Sequence, residues 1–149
     1  MITLYDSKSL AAILNRIENL QPNAERQWGK MNVSQMLAHC SATMEMANGS
    51  NVHKRLFIGY VLGPVFKSNY LSDKPFGKDS PTSPHFVIVD EREFQKEKGQ
   101  LMKLVKGFGE AGQEKCTTHP HGFFGKLTPE QWGKVMFKHL DHHLRQFNA

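Results

Sequence analysis

The last segment of the chain constrains the fold most, because a strong helix-start signal is followed there by a periodic apolar face. Thr128 can cap a helix, Pro129 fits the first helical position, and Gln131 completes a capping box. Helical spacing then places His139 and His143 about 20° to either side of the centre of the apolar face. The sequence predicts a helix that runs almost to the C-terminus and directs both histidines inward.

Three earlier segments carry helix signals of the same kind. The first runs from about Ser7 to Leu20, and the second runs from Asn32 to about Asn48. The third begins near Asp90, with Glu93 as its capping-box partner, and its apolar face continues to Phe108. Each segment predicts an amphipathic helix with one face in a core.

A connection of about 40 residues between the second and third predicted helices is too long for an ordinary bundle loop. Helical pieces are expected within it near Lys54 to Phe66. Four helices with a long crossover between helices 2 and 3 predict an all-α four-helix bundle. The 149 residues, 39% of them hydrophobic, fit one domain spanning 1–149. The apolar stretch Leu56 to Leu62 is either part of the core or a dimer surface, so monomer and homodimer both stay open.

Composition narrows the classes of partner and the compartment. The formal charge is +5, but 19 basic residues are mixed with 14 acidic ones and form no basic run, so no nucleic-acid partner is expected. The longest apolar stretch is far shorter than the roughly 20 residues that a membrane span needs, so no membrane partner is expected. Cys40 and Cys116 form no pattern, and Met1 to Asp6 does not resemble a signal peptide, which together predict a cytoplasmic protein with reduced thiols.

Three histidines form the candidate metal site. His139 and His143 stand four residues apart on one helix, where β-carbons lie about 5–6 Å from one another. His39, in the second predicted helix, shares a stripe with Met36 and Thr43 and is also expected to face inward. A lone buried histidine is more often a hydrogen-bonded core residue, but a pair must find partners for four ring nitrogens. Three imidazoles with an open position are typical of a catalytic metal.

Other polar residues are candidates for the surroundings of this site, and no catalytic residue is assigned. Glu97 is a fourth ligand, a partner of a ligand, or a general base; the favoured alternative is that it extends to solvent or pairs with a lysine at the end of the bundle. His142 lies at the edge of the apolar face and can orient a ligand or bind substrate. His121 stands in a glycine-bounded loop that either lines the pocket mouth or is a surface turn whose Phe123 and Phe124 cover the core.

At these residues the chain resembles a known group of proteins. It is similar to the DinB/YfiT-like metalloenzymes, four-helix bundles in which one histidine of the second helix and a His-x-x-x-His pair of the last helix bind a divalent metal. The matching positions are His39, His139 and His143. Within that superfamily, four stretches over the whole chain resemble the domain-of-unknown-function family 1569: Trp28 to Asn32, Gln35 to Cys40, Phe123 to Glu130 and His139 to Phe147.

The resemblance implies a divalent ion, for which three imidazoles suit zinc or nickel. Several similar proteins use low-molecular-weight thiols such as bacillithiol or mycothiol, which implies a thiol-dependent S-transferase acting on a small-molecule substrate. The same site also suits a metal-dependent hydrolase, because a bound ion lowers the pKa of water from about 15.7 toward 7. A third alternative is a non-catalytic binding module that the metal stabilises, which predicts a fourth protein ligand and no cavity.

Overall fold

The computed structural model describes residues 2–149, so Met1 of the predicted domain lies outside the described residues. It is all-helical, with no strand among those residues, which confirms the all-α part of the prediction. The five α-helices are α1 (Ser7–Asn19), α2 (Val33–Asn48), α3 (Phe57–Leu71), α4 (Phe94–Ala111) and α5 (Pro129–Gln146). Two short 3-10 helices, Pro84–Phe86 and Gln113–Lys115, lie on either side of α4 in the sequence.

The ends of α2 and α5 follow the sequence signals. Both helices begin with a complete capping box, from Asn32 and Gln35 in α2 and from Thr128 and Gln131 in α5. Gly49 ends α2 in the left-handed conformation, with φ at 80°, which a glycine adopts without strain. These caps fix where both histidine-bearing helices begin and therefore the register of their inward faces.

The start of α4 corrects the sequence prediction. Glu93 is not a box partner inside a helix that begins at Asp90; it is the N-cap itself, and its carboxylate accepts hydrogen bonds from the backbone N–H groups of Gln95 and Lys96. Asp90 lies before the helix and forms an ion pair with Arg92. The two backbone N–H groups that this carboxylate caps fix the helix start, three residues after the position that Asp90 indicated.

Four of the helices share one core. The most extensive helix contact joins α2 and α4, while α1 lies against α4 and α5, and α2 lies against α5. The large side chains that are fully enclosed come from these four helices and from the segment before α1: Leu4, Ile13, Ile17, Met36, Leu37, Met44, Leu101, Val105, Trp132, Met136, Leu140 and Leu144. This packing places the inward faces of α2 and α5 side by side, and the three candidate ligands lie on those faces.

Helix α3 behaves differently from the other four. It spans 15 residues, where the sequence indicated only helical pieces, and its buried residues are Gly59 and Gly63. A β-carbon at either glycine would collide with the carbonyl oxygen of Phe123, so the close approach requires glycine. Its apolar side chains are largely exposed, which excludes the core alternative for most of this stretch: Phe57, Ile58, Tyr60, Val61, Leu62, Val65 and Phe66.

None of the described helices combines the length and the apolar character that crossing a bilayer requires.

Candidate metal centre

Helices α2 and α5 bring His39, His139 and His143 together. One ring nitrogen from each lies within 4.8 Å of those of the other two, so the cluster can hold a metal ion. The Nε2 atoms of His39 and His139 are 3.0 Å apart. His39 and His143 are buried, and His139 is partly exposed. The predicted grouping of one histidine from α2 with a pair from α5 is therefore present in the structure.

The ring of His39 is oriented by a distant backbone group. Its Nδ1 lies 2.8 Å from the carbonyl oxygen of Phe86, in the short 3-10 helix Pro84–Phe86. A carbonyl can only accept, so Nδ1 carries the proton and donates it. The Nε2 atom is then unprotonated, and its lone pair is available to a metal.

A side-chain amide orients His143 in the same way. The Nδ1 atom of His143 lies 2.9 Å from Oε1 of Gln146. A flip of the Gln146 amide would break a second hydrogen bond, because its Nε2 donates to the carbonyl oxygen of Trp28 at 2.7 Å. Gln146 therefore offers an acceptor to His143, which places the proton on Nδ1 and leaves Nε2 free.

A hydroxyl completes the pattern at His139. Its Nδ1 lies 3.3 Å from Oγ1 of Thr43. That hydroxyl donates its own proton to the carbonyl oxygen of Cys40 at 2.8 Å, so its oxygen is left as an acceptor toward the ring. Each of the three rings thus has an oxygen partner at Nδ1, which leaves its Nε2 available to a metal ion.

This arrangement fits a cation. Two unprotonated nitrogens 3.0 Å apart repel one another unless a proton or a metal ion lies between their lone pairs. Zinc–imidazole distances of about 2.0–2.1 Å in tetrahedral geometry put the ligand nitrogens about 3.3 Å apart, close to the observed separation. The group consists of these three histidines with no fourth His, Cys, Asp or Glu among the described residues. Three imidazole ligands leave a coordination position for another molecule.

Burial keeps these rings in the form that a metal needs. Desolvation lowers the pKa of His143 to about 3, with a further contribution from the charge that His39 would carry. Desolvation also lowers the pKa of His39, and it lowers the pKa of His139 well below its usual value. The imidazoles are therefore neutral at pH 7, so a metal ion displaces no proton from them.

His142 lies beside the cluster without belonging to it. Its ring centroid is 5.0 Å from that of His143 and 5.5 Å from that of Trp28. It lines a cavity of about 490 Å³ whose wall also includes Trp28 and Phe76. This position of His142 matches its predicted place at the edge of the apolar face. Its ring lies between the cavity and the three-histidine cluster.

Glu97 is not brought to the three histidines. Its buried carboxylate lies 3.4 Å from the guanidinium of Arg92, which also pairs with Asp90. The favoured sequence interpretation was exposure to solvent or an ion pair with a lysine, and the observed partner is an arginine just before α4. This ion pair compensates the buried charge of the Glu97 carboxylate at a place away from the three histidines.

His121 is a turn-forming residue in this structure. Its Nδ1 accepts hydrogen bonds from the backbone N–H groups of Phe123 and Phe124, and its Nε2 lies 3.4 Å from the hydroxyl of Tyr70. A pair of backbone hydrogen bonds between His121 and Gly125 closes the turn. Phe124 packs against the core, as the turn interpretation expects, whereas Phe123 is not among the side chains packed there. Desolvation, with the charges of nearby cationic side chains, lowers the pKa of His121 to about 4.

The sequence analysis assigned no orienting role to the three groups that contact the ligand rings at Nδ1. Gln146 stands three residues after His143 on the same helix face, so helical spacing could have identified it. Thr43 was placed on the stripe of His39, but its hydrogen bond goes to His139 of another helix. The carbonyl of Phe86 carries no sequence signal, since any residue has one and it lies 47 residues from His39.

Fold and site together define an all-helical protein with a three-histidine cluster that can hold a metal ion. The family model described as "Protein of unknown function (DUF1569)" matches residues 4–149, and the chain belongs to this family. No curated protein and no solved structure matches the chain. This match confirms the resemblance to family 1569 that was drawn from the sequence. The description of the family names no activity. The resemblance to the DinB/YfiT-like superfamily stays a prediction.

Proposed function

We propose that this protein is a metal-dependent enzyme whose divalent ion, zinc or nickel, is bound by His39, His139 and His143. The observation that carries this proposal is the convergence of the three rings, because every Nδ1 has an oxygen partner within the protein and one ring nitrogen of each histidine lies within 4.8 Å of those of the other two. The proposal includes a DinB-like four-helix bundle formed by α1, α2, α4 and α5, with α3 in the crossover, as one domain over residues 1–149.

The leading reaction is S-transfer from a low-molecular-weight thiol to a small electrophilic molecule. A bound zinc or nickel ion supplies Lewis acidity, which favours the thiolate form at neutral pH. In this reaction the thiol would give its proton to solvent, its sulfur would form a bond to the electrophilic carbon, and the leaving group would depart into solvent with the electron pair of the broken bond. Because the three imidazoles are neutral, the site keeps the full positive charge of the ion and attracts anionic sulfur. His142 can exchange a proton with a ligand in the cavity that it lines.

Two alternatives use the same residues. A metal-dependent hydrolase would activate water at the position that three ligands leave open. A non-catalytic binding module would use the ion to fasten α2 to α5, and a fourth protein ligand would favour it. The metal-ligating group within residues 2–149 contains only the three histidines, and a cavity of about 490 Å³ lies beside it. Both observations favour an enzyme over a structural metal site.

Cobalt substitution tests the reaction class. We expect the cobalt-loaded protein to develop a sulfur-to-metal charge-transfer absorption band when bacillithiol or mycothiol is added, and no band with the corresponding disulfide. Absence of the band, together with faster hydrolysis of 4-nitrophenyl acetate by loaded than by metal-free protein, would establish the hydrolase instead. Absence of both would leave the binding module.

The exposed apolar surface of α3 bears on the oligomeric state. It consists of seven exposed side chains, and exposed apolar surface on this scale usually marks a protein–protein interface. We propose that a second copy of this chain covers it. Sedimentation should give a dimer for the natural chain and a monomer for the double variant Phe57→Ser, Val65→Ser; a monomeric natural chain would contradict the dimer.

A further inference from the structure

The cavity beside the metal centre has a distinct chemistry of its own. It is lined by the aromatic rings of Trp28, Phe76, Phe137 and His142. Its volume, about 490 Å³, falls in the range of about 300–1,000 Å³ that is usual for small-molecule sites. Aromatic walls of this kind favour a ligand with a flat or apolar body.

The charges that line the cavity are predominantly positive. Four cationic side chains face two carboxylates there. The carboxylate of Asp73 is used by Lys134 at 2.7 Å, and that of Asp141 is shared by Arg16 at 2.8 Å and Arg145 at 3.7 Å. The two remaining cations of the wall are Lys78 and Lys138, and neither has a carboxylate within ion-pair distance in the described part of the chain.

Both remaining lysines are placed against aromatic rings. The Nζ of Lys78 lies 4.8 Å from the ring centroid of Trp28, and the Nζ of Lys138 lies 4.4 Å from that of Phe76. Lys138 also donates to the carbonyl oxygens of Tyr70 and Ser72. These contacts use two of its three N–H donors and fix its position, so one donor remains for a ligand.

We infer that this cavity binds a small organic anion, with its carboxylate or sulfonate between Lys78 and Lys138 and its flat body against Trp28 and Phe76. The two cations are without carboxylate partners and the rings supply apolar walls, so both parts of such a ligand find complementary surface. His142 separates the cavity from His143 by the width of one ring. The description of this anion as the substrate rests on the proposed function, whereas its binding does not require a metal.

Titration calorimetry with 2-naphthoate and its neutral analogue 2-naphthylmethanol, on protein stripped of metal, tests this inference. We expect 2-naphthoate to bind one per chain and at least roughly fivefold more tightly than the alcohol, with the difference shrinking at high salt. Lys78→Met should remove most of the difference, because this exposed residue can be changed without disturbing the fold. Lys138→Met should act in the same direction.

Lys96→Met is the matched control, since Lys96 is exposed on α4 and outside the cavity. It should leave the affinity for 2-naphthoate unchanged. Equal affinities for the acid and the alcohol, no binding of either, or an equal loss in the Lys78 and Lys96 variants would overturn the inference. A normal metal content in the same samples after reloading would show that the metal centre stands even where the anion site fails.

Discussion

The three-histidine cluster and His121 are both buried imidazole sites, yet they handle their ring nitrogens in opposite ways. At His121 both nitrogens have partners within the protein: Nδ1 accepts from two backbone N–H groups, and Nε2 faces the hydroxyl of Tyr70. In the cluster every Nδ1 has an oxygen partner, but the Nε2 atoms of His39 and His139 face each other at 3.0 Å, and one ring nitrogen of each histidine lies within 4.8 Å of those of the other two. Burial alone does not distinguish a structural histidine from a metal ligand; the distribution of hydrogen-bond partners around the ring does.

The largest expected contrast between the two sites is in metal content. His143→Ala should reduce bound zinc or nickel from about one ion per chain to near zero, because two imidazoles rarely retain a divalent ion. His121→Ala should keep the full content. Elemental analysis of untagged protein after dialysis measures both. Equal metal content in the two variants would remove the distinction, and loss of folding in His143→Ala alone would favour a structural role for the ion.

The second contrast is in stability. His121→Ala leaves the backbone N–H groups of Phe123 and Phe124 without their acceptor in a buried turn, which should lower the free energy of unfolding by about 2–4 kcal/mol. His121→Asn should recover part of this loss, since its side-chain oxygen can accept. Urea denaturation of metal-free protein gives both values. A variant as stable as the natural chain would show that the turn does not depend on this ring.

The third contrast is in pH dependence. The pKa of His121 is about 4 in the folded chain and about 6.5 in the unfolded chain, so the unfolded state binds the proton first as the pH falls. The stabilisation is complete above pH 6.5 and is lost as the pH falls toward 4, by about 1 kcal/mol per pH unit. We expect His121→Asn, with metal chelated, to show a shallower loss than the natural chain over this window. Parallel curves would contradict the burial of a neutral ring.

The smallest effect concerns the group that orients a ligand. Gln146→Leu removes the acceptor of the His143 Nδ1–H, which should weaken zinc binding about 10- to 100-fold. Gln146→Glu keeps an oxygen acceptor at the same place and should bind within a few-fold of the natural chain. Competition with a zinc chelator of known affinity measures both variants. If the Gln146→Leu variant binds zinc as tightly as the natural chain, the tautomer of His143 does not depend on Gln146.

The parts of the fold that were predictable from sequence carry local signals. The capping boxes at Asn32 and Thr128 marked the starts of α2 and α5 correctly. The extent of α3 was not predictable, because its apolar residues form no single face and its position depends on contact between two glycines and the backbone of Phe123. A helix that packs through glycines has no apolar stripe, so hydrophobic periodicity does not identify it.

The candidate site, like the fold, has parts that local sequence signals predict and parts that they do not. Helical spacing was enough to bring His139 and His143 to one face, and the apolar stripe was enough to direct His39 inward. The partners that fix the tautomers come from a distant carbonyl, a hydroxyl of another helix and an amide held by the loop at Trp28. The first two contacts follow from tertiary packing, which a single sequence does not encode in any local pattern; the third joins residues three apart on α5, and only the orientation of its amide depends on the loop at Trp28. The cavity beside His142 is likewise assembled from segments far apart in the chain.

X-ray absorption spectroscopy of the untagged, zinc-loaded protein tests the metal centre most directly, because it counts the imidazoles around the ion. We expect three imidazole nitrogens at about 2.0–2.1 Å and one or two oxygen ligands, with one imidazole fewer in any zinc retained by His39→Ala. A spectrum with fewer than three imidazoles or with sulfur ligands, or a protein that retains no zinc after loading, would contradict the three-histidine centre.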